Sequence, residues 1–217
     1  MNVYTLVEGL RVEPYVYAKW IPAINPNLRQ VQSLHELRNN NFIIFSGGGY
    51  PSYLKMIGNA VADLNNIPSI DRLVVGVDSE EMTRINKLNE IDNAIKSHHP
   101  TKPYHIVVQH YCFETWCLGN RKIAPKPHCT GELRNLKSFF DVSTQDPEQM
   151  PSQFPQELGR SAFAFQYLRK CMQDRGITYS KRNPAYVAHP TYFYQIRQRQ
   201  SDTGHIDSIL PLIHAFT

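Results

Sequence analysis

Three apolar runs rich in β-branched residues each end in a turn that carries carboxylates. The runs end at Glu8, at the pair Asp78 and Glu80, and at Glu114. A continuous apolar run bounded by turn residues is typical of a strand buried on both faces, as in a parallel sheet. Because ligands bind outside the carboxyl ends of such strands, we expect these carboxylates to meet at one edge of the sheet.

Strand and helix patterns alternate over the first half of the chain. Apolar runs predict strands at 2–7, 41–46, 72–77 and 104–109, with helical patterns between them. The alternation predicts an α/β fold with a four-stranded, mostly parallel sheet flanked by helices. We expect residues 1–120 to form this core.

The second half of the chain has a different character. Polar and proline-rich residues follow position 120, and helical patterns then occur at 133–140, 161–174, 183–200 and 205–216. We therefore expect residues 121–217 to be a helical, loop-rich C-terminal extension packed on the core.

One helix of the core is predicted from spacing alone. Residues 80–97 are expected to be helical because apolar residues recur at roughly helical intervals, at Met82, Ile85, Leu88, Ile91 and Ile95.

Carboxylates gathered at one edge repel one another unless a cation joins them. Mg²⁺ and Mn²⁺ are hard cations that select oxygen ligands, so they are the expected cofactors. The alternative is structural: Asp78 as a helix N-cap, with Glu80, Glu81 and Glu114 as first-turn residues that complement a helix dipole.

The acidic motifs resemble those of the TOPRIM family, and especially small stand-alone TOPRIM-like proteins related to the overcoming-lysogenization-defect nuclease branch. The resemblance rests on Glu8-Gly9, on Asp78-Ser79-Glu80 and on Cys112-Phe113-Glu114, with Cys112 where serine is usual. It implies a metal-dependent catalytic core with Glu8, Asp78, Glu80 and Glu114 as catalytic metal ligands. Glu13 corresponds to a further acidic ligand of that branch, at a spacing one residue longer, and Glu8 takes the general acid or base role.

The resemblance implies a function. We expect a nuclease that hydrolyses phosphodiester bonds of DNA or RNA and acts in anti-phage defence with a partner protein. The partner that the resemblance implies is an ATPase. Because the chain has no Gly-Lys-Ser/Thr phosphate loop of its own, we expect a partner protein to restrain or deliver its activity. The alternatives are a non-catalytic metal-binding interaction module and a phosphoryl- or nucleotidyl-transfer enzyme; a homo-oligomer also stays open.

Basic residues are concentrated in the second half of the chain. Residues 1–100 carry a net charge of −1 and residues 101–217 a net charge of +5. Basic side chains interleaved with aromatic ones suit nucleic acid, and the candidates are Arg121, Lys122, Lys181 and Arg182, with Arg197 and Arg199 further along. The alternative is an ordinary, slightly basic surface.

Several features limit other classes of function. No apolar run of about 18 residues is present, so no membrane span is expected, and the N-terminus lacks signal-peptide character. We expect a cytoplasmic protein whose four cysteines are thiols. A zinc site of Cys112, Cys117, His128 and Cys129 is the alternative, and Gly47-Gly48-Gly49 is interpreted as a tight turn or a phosphate contact.

Overall fold

The structure is a computed structural model that describes residues 1–151 and 158–217. Residues 152–157, which belong to the predicted loop-rich segment, lie outside the described residues. The strands are β1 (Val3–Val7), β2 (Arg29–Gln30), β3 (Asn41–Ser46), β4 (Arg72–Asp78) and β5 (Tyr104–Gln109). The helices are α1 (Val12–Ile24), α2 (Ser52–Asn66), α3 (Arg84–Lys96), α4 (Phe113–Cys117), α5 (Gly131–Phe139), α6 (Arg160–Gln173), α7 (Ala185–Ala188), α8 (Pro190–Thr203) and α9 (Leu210–Phe216), with short 3₁₀ helices at Leu34–Glu36, Pro147–Gln149 and Asp207–Ile209.

The sheet confirms the α/β class and corrects the number of strands. It has five parallel strands in the order β2-β3-β1-β4-β5, where four were predicted. The additional strand, β2, is two exposed residues at the sheet edge, paired with the start of β3. So short and polar an edge strand has no apolar run, and the sequence therefore gave no signal for it.

Contacts divide the chain into two compact units. The first unit comprises Met1–Val77, Thr83–Val108 and Ile209–Thr217, and the second comprises Asp78–Met82 and Gln109–Ser208. The core of the first unit is built from side chains of β1, β3, β4, α2 and α3. In the second unit the largest fully buried side chains include Trp116, Phe163, Tyr167 and Phe193.

Helix α3 is shorter than predicted. It begins at Arg84 instead of residue 80, because the Thr83 hydroxyl accepts the N–H of Asn86 and caps the helix. Glu80 has a φ of 51°, a left-handed conformation that a helix does not allow. Consequently only the later part of the apolar pattern packs inward: Ile91 and Ile95 are buried, whereas Ile85 is 61% exposed.

The predicted helix at 183–200 is two helices. His189 is extended, with φ −62° and ψ 135°, because the ring of Pro190 disfavours the helical conformation in the residue before it. Pro190 then starts α8, and the His189 side chain accepts the N–H of Thr191.

Candidate functional site

In the first unit, Glu8 lies in the turn that follows β1, and Glu13 lies in the first turn of α1. The Glu8 N–H donates to the carbonyl of Gly76 (2.9 Å) and the Glu8 carbonyl accepts the N–H of Gly49 (2.9 Å). The Glu13 carboxylate folds back over Gly9, where an added Cβ would collide with it. The glycine after Glu8 therefore makes room for the second carboxylate.

A buried lysine contacts Tyr53, a tyrosine whose pKa is affected by the charge of Glu8. Lys87 is only 6% exposed; its Nζ lies 2.7 Å from Glu90 Oε2 and 3.5 Å from the Tyr53 hydroxyl. Burial raises the pKa of Tyr53 to about 12; the positive charge of Lys87 opposes this shift, and the carboxylates of Glu90 and Glu8 add to it.

Lys87 itself keeps its charge. Burial acts to lower its pKa, but the bonds to Glu90 and Tyr53 outweigh this effect and raise it. Sequence analysis missed Lys87, although there was a signal: it precedes Ile91 by four residues and Ile95 by eight, so it lies on the inward face of α3.

In the second unit, the segment after β4 runs beside the segment after β5. The Ser79 N–H donates to the carbonyl of Gln109 (3.0 Å) and the Glu80 N–H to that of Tyr111 (2.8 Å). Ser79 Oγ and His110 Nδ1 are 2.8 Å apart. These bonds fix the backbone that carries Asp78 and Glu80.

Glu80 and Glu81 are bound by the start of α6. The Ser161 hydroxyl donates to Glu80 Oε2 (2.7 Å). Arg160 donates to Glu81 from both its backbone N–H and its guanidinium, each at 2.5 Å. Sequence analysis did not foresee these contacts, because nothing in the sequence relates two elements about 80 residues apart.

Glu114 lies in the first turn of α4 and is buried, with 4% of its surface exposed. The hydroxyl of Tyr179 donates to Glu114 Oε1 at 3.0 Å. Burial, followed by the charge of Glu114, raises the pKa of Tyr179, so its phenol stays protonated and remains a donor.

The charges of two of the predicted carboxylates, Glu114 and Asp78, act on the thiol of Cys112. Burial raises its pKa well above the usual range, and the charges of Glu114 and Asp78 raise it further. Cys112 Sγ also lies 3.9 Å from the carbonyl of Ser161, whose hydroxyl binds Glu80. Asp78 and Glu114 therefore both influence this thiol, and Glu80 is bound to the serine whose carbonyl the thiol approaches.

The capping alternative is wrong for Asp78, Glu80 and Glu81, which all precede α3, and right for Glu114. Asp78 and Glu80 neither cap nor begin α3, whose N-cap is Thr83. Glu114 does occupy the first turn of a helix, as that alternative requires.

The donor chemistry of these residues suits a hard divalent cation, since all three side chains offer carboxylate oxygens. Their arrangement does not assemble a ligand set: within residues 1–151 and 158–217, no group of three or more His, Cys, Asp or Glu side chains is placed to hold a metal ion. Glu80 and Glu114 each accept a hydroxyl donor instead.

The glycine run forms a tight turn. Gly47 donates its N–H to the Val7 carbonyl (2.7 Å), Gly48 to Ser46 Oγ (3.2 Å) and Gly49 to the Glu8 carbonyl (2.9 Å). All three N–H groups have protein acceptors, which favours the turn over the phosphate contact.

The predicted basic residues have different environments. Arg121 forms an exposed ion pair with Asp202 at 3.0 Å. Lys181 and Arg182 are exposed on a loop. Lys181 Nζ lies 5.7 Å from the ring centre of Phe165. Lys122 lines a cavity together with nine other residues.

Arg199 is wrongly placed among the phosphate-contacting candidates. It is 1% exposed, and its guanidinium donates to the carbonyls of Val142 (2.7 Å) and Gln145 (2.6 Å). It is a structural cation that no phosphate reaches.

The four cysteines are free and buried, as the thiol interpretation predicts. The zinc alternative has no support in the described part of the chain, where no metal-holding group includes Cys112, Cys117, His128 or Cys129.

Comparison of the chain with protein families, curated proteins and solved structures found no match. The TOPRIM resemblance therefore remains a prediction from the motifs. Among the described residues, no helix is both long and apolar enough to cross a membrane.

Proposed function

We propose that this chain is a divalent-metal-dependent nuclease that hydrolyses phosphodiester bonds of DNA or RNA. The observation that carries the proposal is that Ser161 joins Glu80 to Cys112. The Ser161 hydroxyl donates to Glu80 Oε2 at 2.7 Å and its carbonyl lies 3.9 Å from Cys112 Sγ, the thiol on which the charges of Glu114 and Asp78 act. Folds with a parallel sheet bind ligands outside the carboxyl ends of the strands, and these carboxylates follow the ends of two different strands.

In this proposal a bound Mg²⁺ or Mn²⁺ would supply positive charge for the phosphoryl group of the substrate. Asp78 and Glu80 are the proposed main ligands of this cation. The carboxylate of Glu80 is exposed and accepts only the hydroxyl of Ser161. Tyr179 orients Glu114. Glu8 is the proposed general acid or base and Glu13 a further ligand, as the resemblance implies.

The nucleic acid is proposed to contact the exposed basic side chains Arg121, Lys122, Lys181 and Arg182. The ATPase partner and the anti-phage role belong to the same proposal and rest on the family resemblance of the motifs. Co-purification of the tagged chain with an ATPase from its native host tests this part.

A non-catalytic metal-binding interaction module is the second candidate. It is favoured by one observation: the hydroxyl groups of Ser161 and Tyr179 already occupy the carboxylates of Glu80 and Glu114. Such contacts stabilise a surface equally well without chemistry.

A cleavage assay separates the two candidates. Plasmid, single-stranded DNA and tRNA are incubated with the protein and Mn²⁺, and products are resolved on gels. We expect Asp78→Asn and Glu80→Gln each to reduce the cleavage rate by at least about 100-fold, because lost charge stabilisation at a reacting phosphate costs several kcal/mol.

The matched control is Glu36→Gln. Glu36 also accepts a serine hydroxyl, from Ser33 at 2.7 Å, but it lies in the first unit away from the strand ends. This variant should cleave like the wild type. Wild-type rates in both site variants, or no cleavage of any substrate by the wild-type protein, would remove the catalytic proposal and leave the interaction module.

A further inference from the structure

A cavity of about 590 Å³ lies entirely within the second unit. Its walls come from the loop after α4, from α7 and from the first turns of α8. Its volume is in the range of small-molecule sites. The proposed nuclease chemistry does not use it, apart from Lys122 at its wall.

One wall of the cavity is aromatic. Tyr192 is 3% exposed and its hydroxyl donates to the Cys117 carbonyl at 2.8 Å, so its ring is fixed. Tyr186 packs edge-on against it, with ring centres 5.7 Å apart and an interplanar angle of 80°. Because Tyr186 is 44% exposed and held by an edge contact, it can serve as a stacking platform for a planar ligand.

The buried polar group of the cavity is Asn120, which is 3% exposed. Its Oδ1 accepts the N–H of Lys122 at 2.9 Å, which fixes the amide. Within residues 1–151 and 158–217, no hydrogen bond forms from Asn120 Nδ2. The amide therefore has two donors for a ligand, and Asn183 and Gln195 add both donors and acceptors to the same walls.

The charge of the cavity favours an anion. Lys122 is exposed at the wall, and none of the ten lining residues is aspartate or glutamate. The exposed tyrosine ring, the amide of Asn120 and the ammonium group of Lys122 can bind the three parts of a nucleotide, which are the base face, the base edge and the phosphate.

We propose that this cavity binds a nucleotide unit, with the base stacked on Tyr186, the base edge bonded to Asn120 and the phosphate near Lys122. The unit is either a free mononucleotide or one residue of a single strand. The inference goes beyond the proposed function, because it requires binding alone and no metal.

The test is isothermal titration calorimetry in EDTA with AMP, UMP and single-stranded RNA and DNA tetranucleotides. EDTA separates this proposal from the nuclease proposal. If the wild-type protein binds nucleotides in EDTA but cleaves no substrate with Mn²⁺, only the nuclease proposal is contradicted; if it cleaves but does not bind in EDTA, only the present proposal is contradicted. We expect saturable binding of at least one ligand. Tighter binding of a tetranucleotide identifies a strand as the natural ligand, and equal or tighter binding of a mononucleotide identifies a free nucleotide.

Tyr186→Ala should weaken binding about tenfold, because stacking on an aromatic ring is lost, and Tyr186→Phe should restore it. The matched control is Tyr194→Ala, since Tyr194 is 47% exposed on the same pair of helices but does not line the cavity. That variant should bind within about twofold of the wild type, as expected for a surface change outside the site.

Lys122→Glu should weaken binding and reduce its salt dependence by about one released ion, whereas Lys126→Glu should do neither. Circular dichroism checks that each variant is folded. The proposal is overturned if no ligand binds at millimolar concentration, or if Tyr194→Ala weakens binding as much as Tyr186→Ala.

Discussion

At the scale of single residues, Glu148 is a carboxyl group whose ionisation is disfavoured by its buried environment. It is 3% exposed, and its carboxyl contacts the hydroxyl of Ser208, which also accepts the indole N–H of Trp116 at 2.6 Å. Burial raises its pKa from 4.5 to about 8; the Ser208 bond opposes the shift and Asp207 adds to it.

This raised pKa predicts how stability depends on pH. Between about pH 4.5 and pH 8 the folded protein holds a proton on Glu148 that the unfolded chain has already released. Stability from this group therefore falls as pH rises through that window, by at most about 1.4 kcal/mol per pH unit. Urea unfolding at a series of pH values measures this slope.

Glu148→Gln should remove that contribution, because the amide does not titrate. Glu132→Gln is the control: Glu132 is exposed, and its bond to Lys170 lowers its pKa, so its titration lies below this window. An unchanged slope in Glu148→Gln would show that another group causes the pH dependence.

At the scale of elements, Arg199 joins α8 to two other segments. Its guanidinium donates to carbonyls at Val142 and Gln145, in the loop after α5, and lies 3.4 Å from the carbonyl of Leu118 at the end of α4. Burial lowers the pKa of Arg199 to about 10, so it remains charged at neutral pH.

Arg199→Met should destabilise the protein by about 3 kcal/mol, because it leaves buried carbonyls without donors. Arg199→Lys should recover only part of the loss, since an ammonium group lacks the planar fork of donors. The midpoint and slope of urea unfolding measure both variants.

The control for the Arg199 variants is a second arginine on α8. Arg197 is exposed on α8, two residues away, so Arg197→Met should change stability by less than about 0.5 kcal/mol. Equal losses at both positions would mean that the helix surface, and not the buried guanidinium, accounts for the effect.

At the scale of the whole molecule, a bound metal would stabilise the folded chain against unfolding. Anything that binds only the folded state raises the melting temperature, and carboxylates that repel one another add to the gain when a cation joins them. We expect millimolar Mg²⁺ or Mn²⁺ to raise the melting temperature, and Asp78→Asn to remove most of that rise.

Asp202→Asn is the control for this measurement, because Asp202 is half-exposed and pairs with Arg121 at the surface. It should keep the full metal-dependent rise. If wild-type melting is the same with and without metal, the metal part of the proposed function is wrong.

The strands of the first unit were predictable because they are long apolar runs. The predicted runs at 2–7, 41–46, 72–77 and 104–109 correspond to β1, β3, β4 and β5 within one or two residues. Burial on both faces leaves a continuous apolar signal in the sequence, whereas the two-residue edge strand β2 leaves none.

The candidate site was predictable only in part. The positions of Asp78 and Glu114 after strand ends follow from the order of runs and turns in the chain. Their partners Ser161 and Tyr179 could not be predicted, because each lies more than 60 residues from the carboxylate that it binds. The helical spacing places Lys87 on the inward face of α3. Only the structure shows the ion pair with Glu90 that stabilises its buried charge.

The sequence by itself determined the α/β class and the turns that carry the acidic residues, because those depend on local apolar periodicity. Only the tertiary structure decided which charged side chains are exposed and which are buried. Arg197 and Arg199 are two residues apart with the same chemistry, yet one faces solvent and the other binds buried carbonyls. The difference arises from packing between segments distant in the chain, and no local pattern records it.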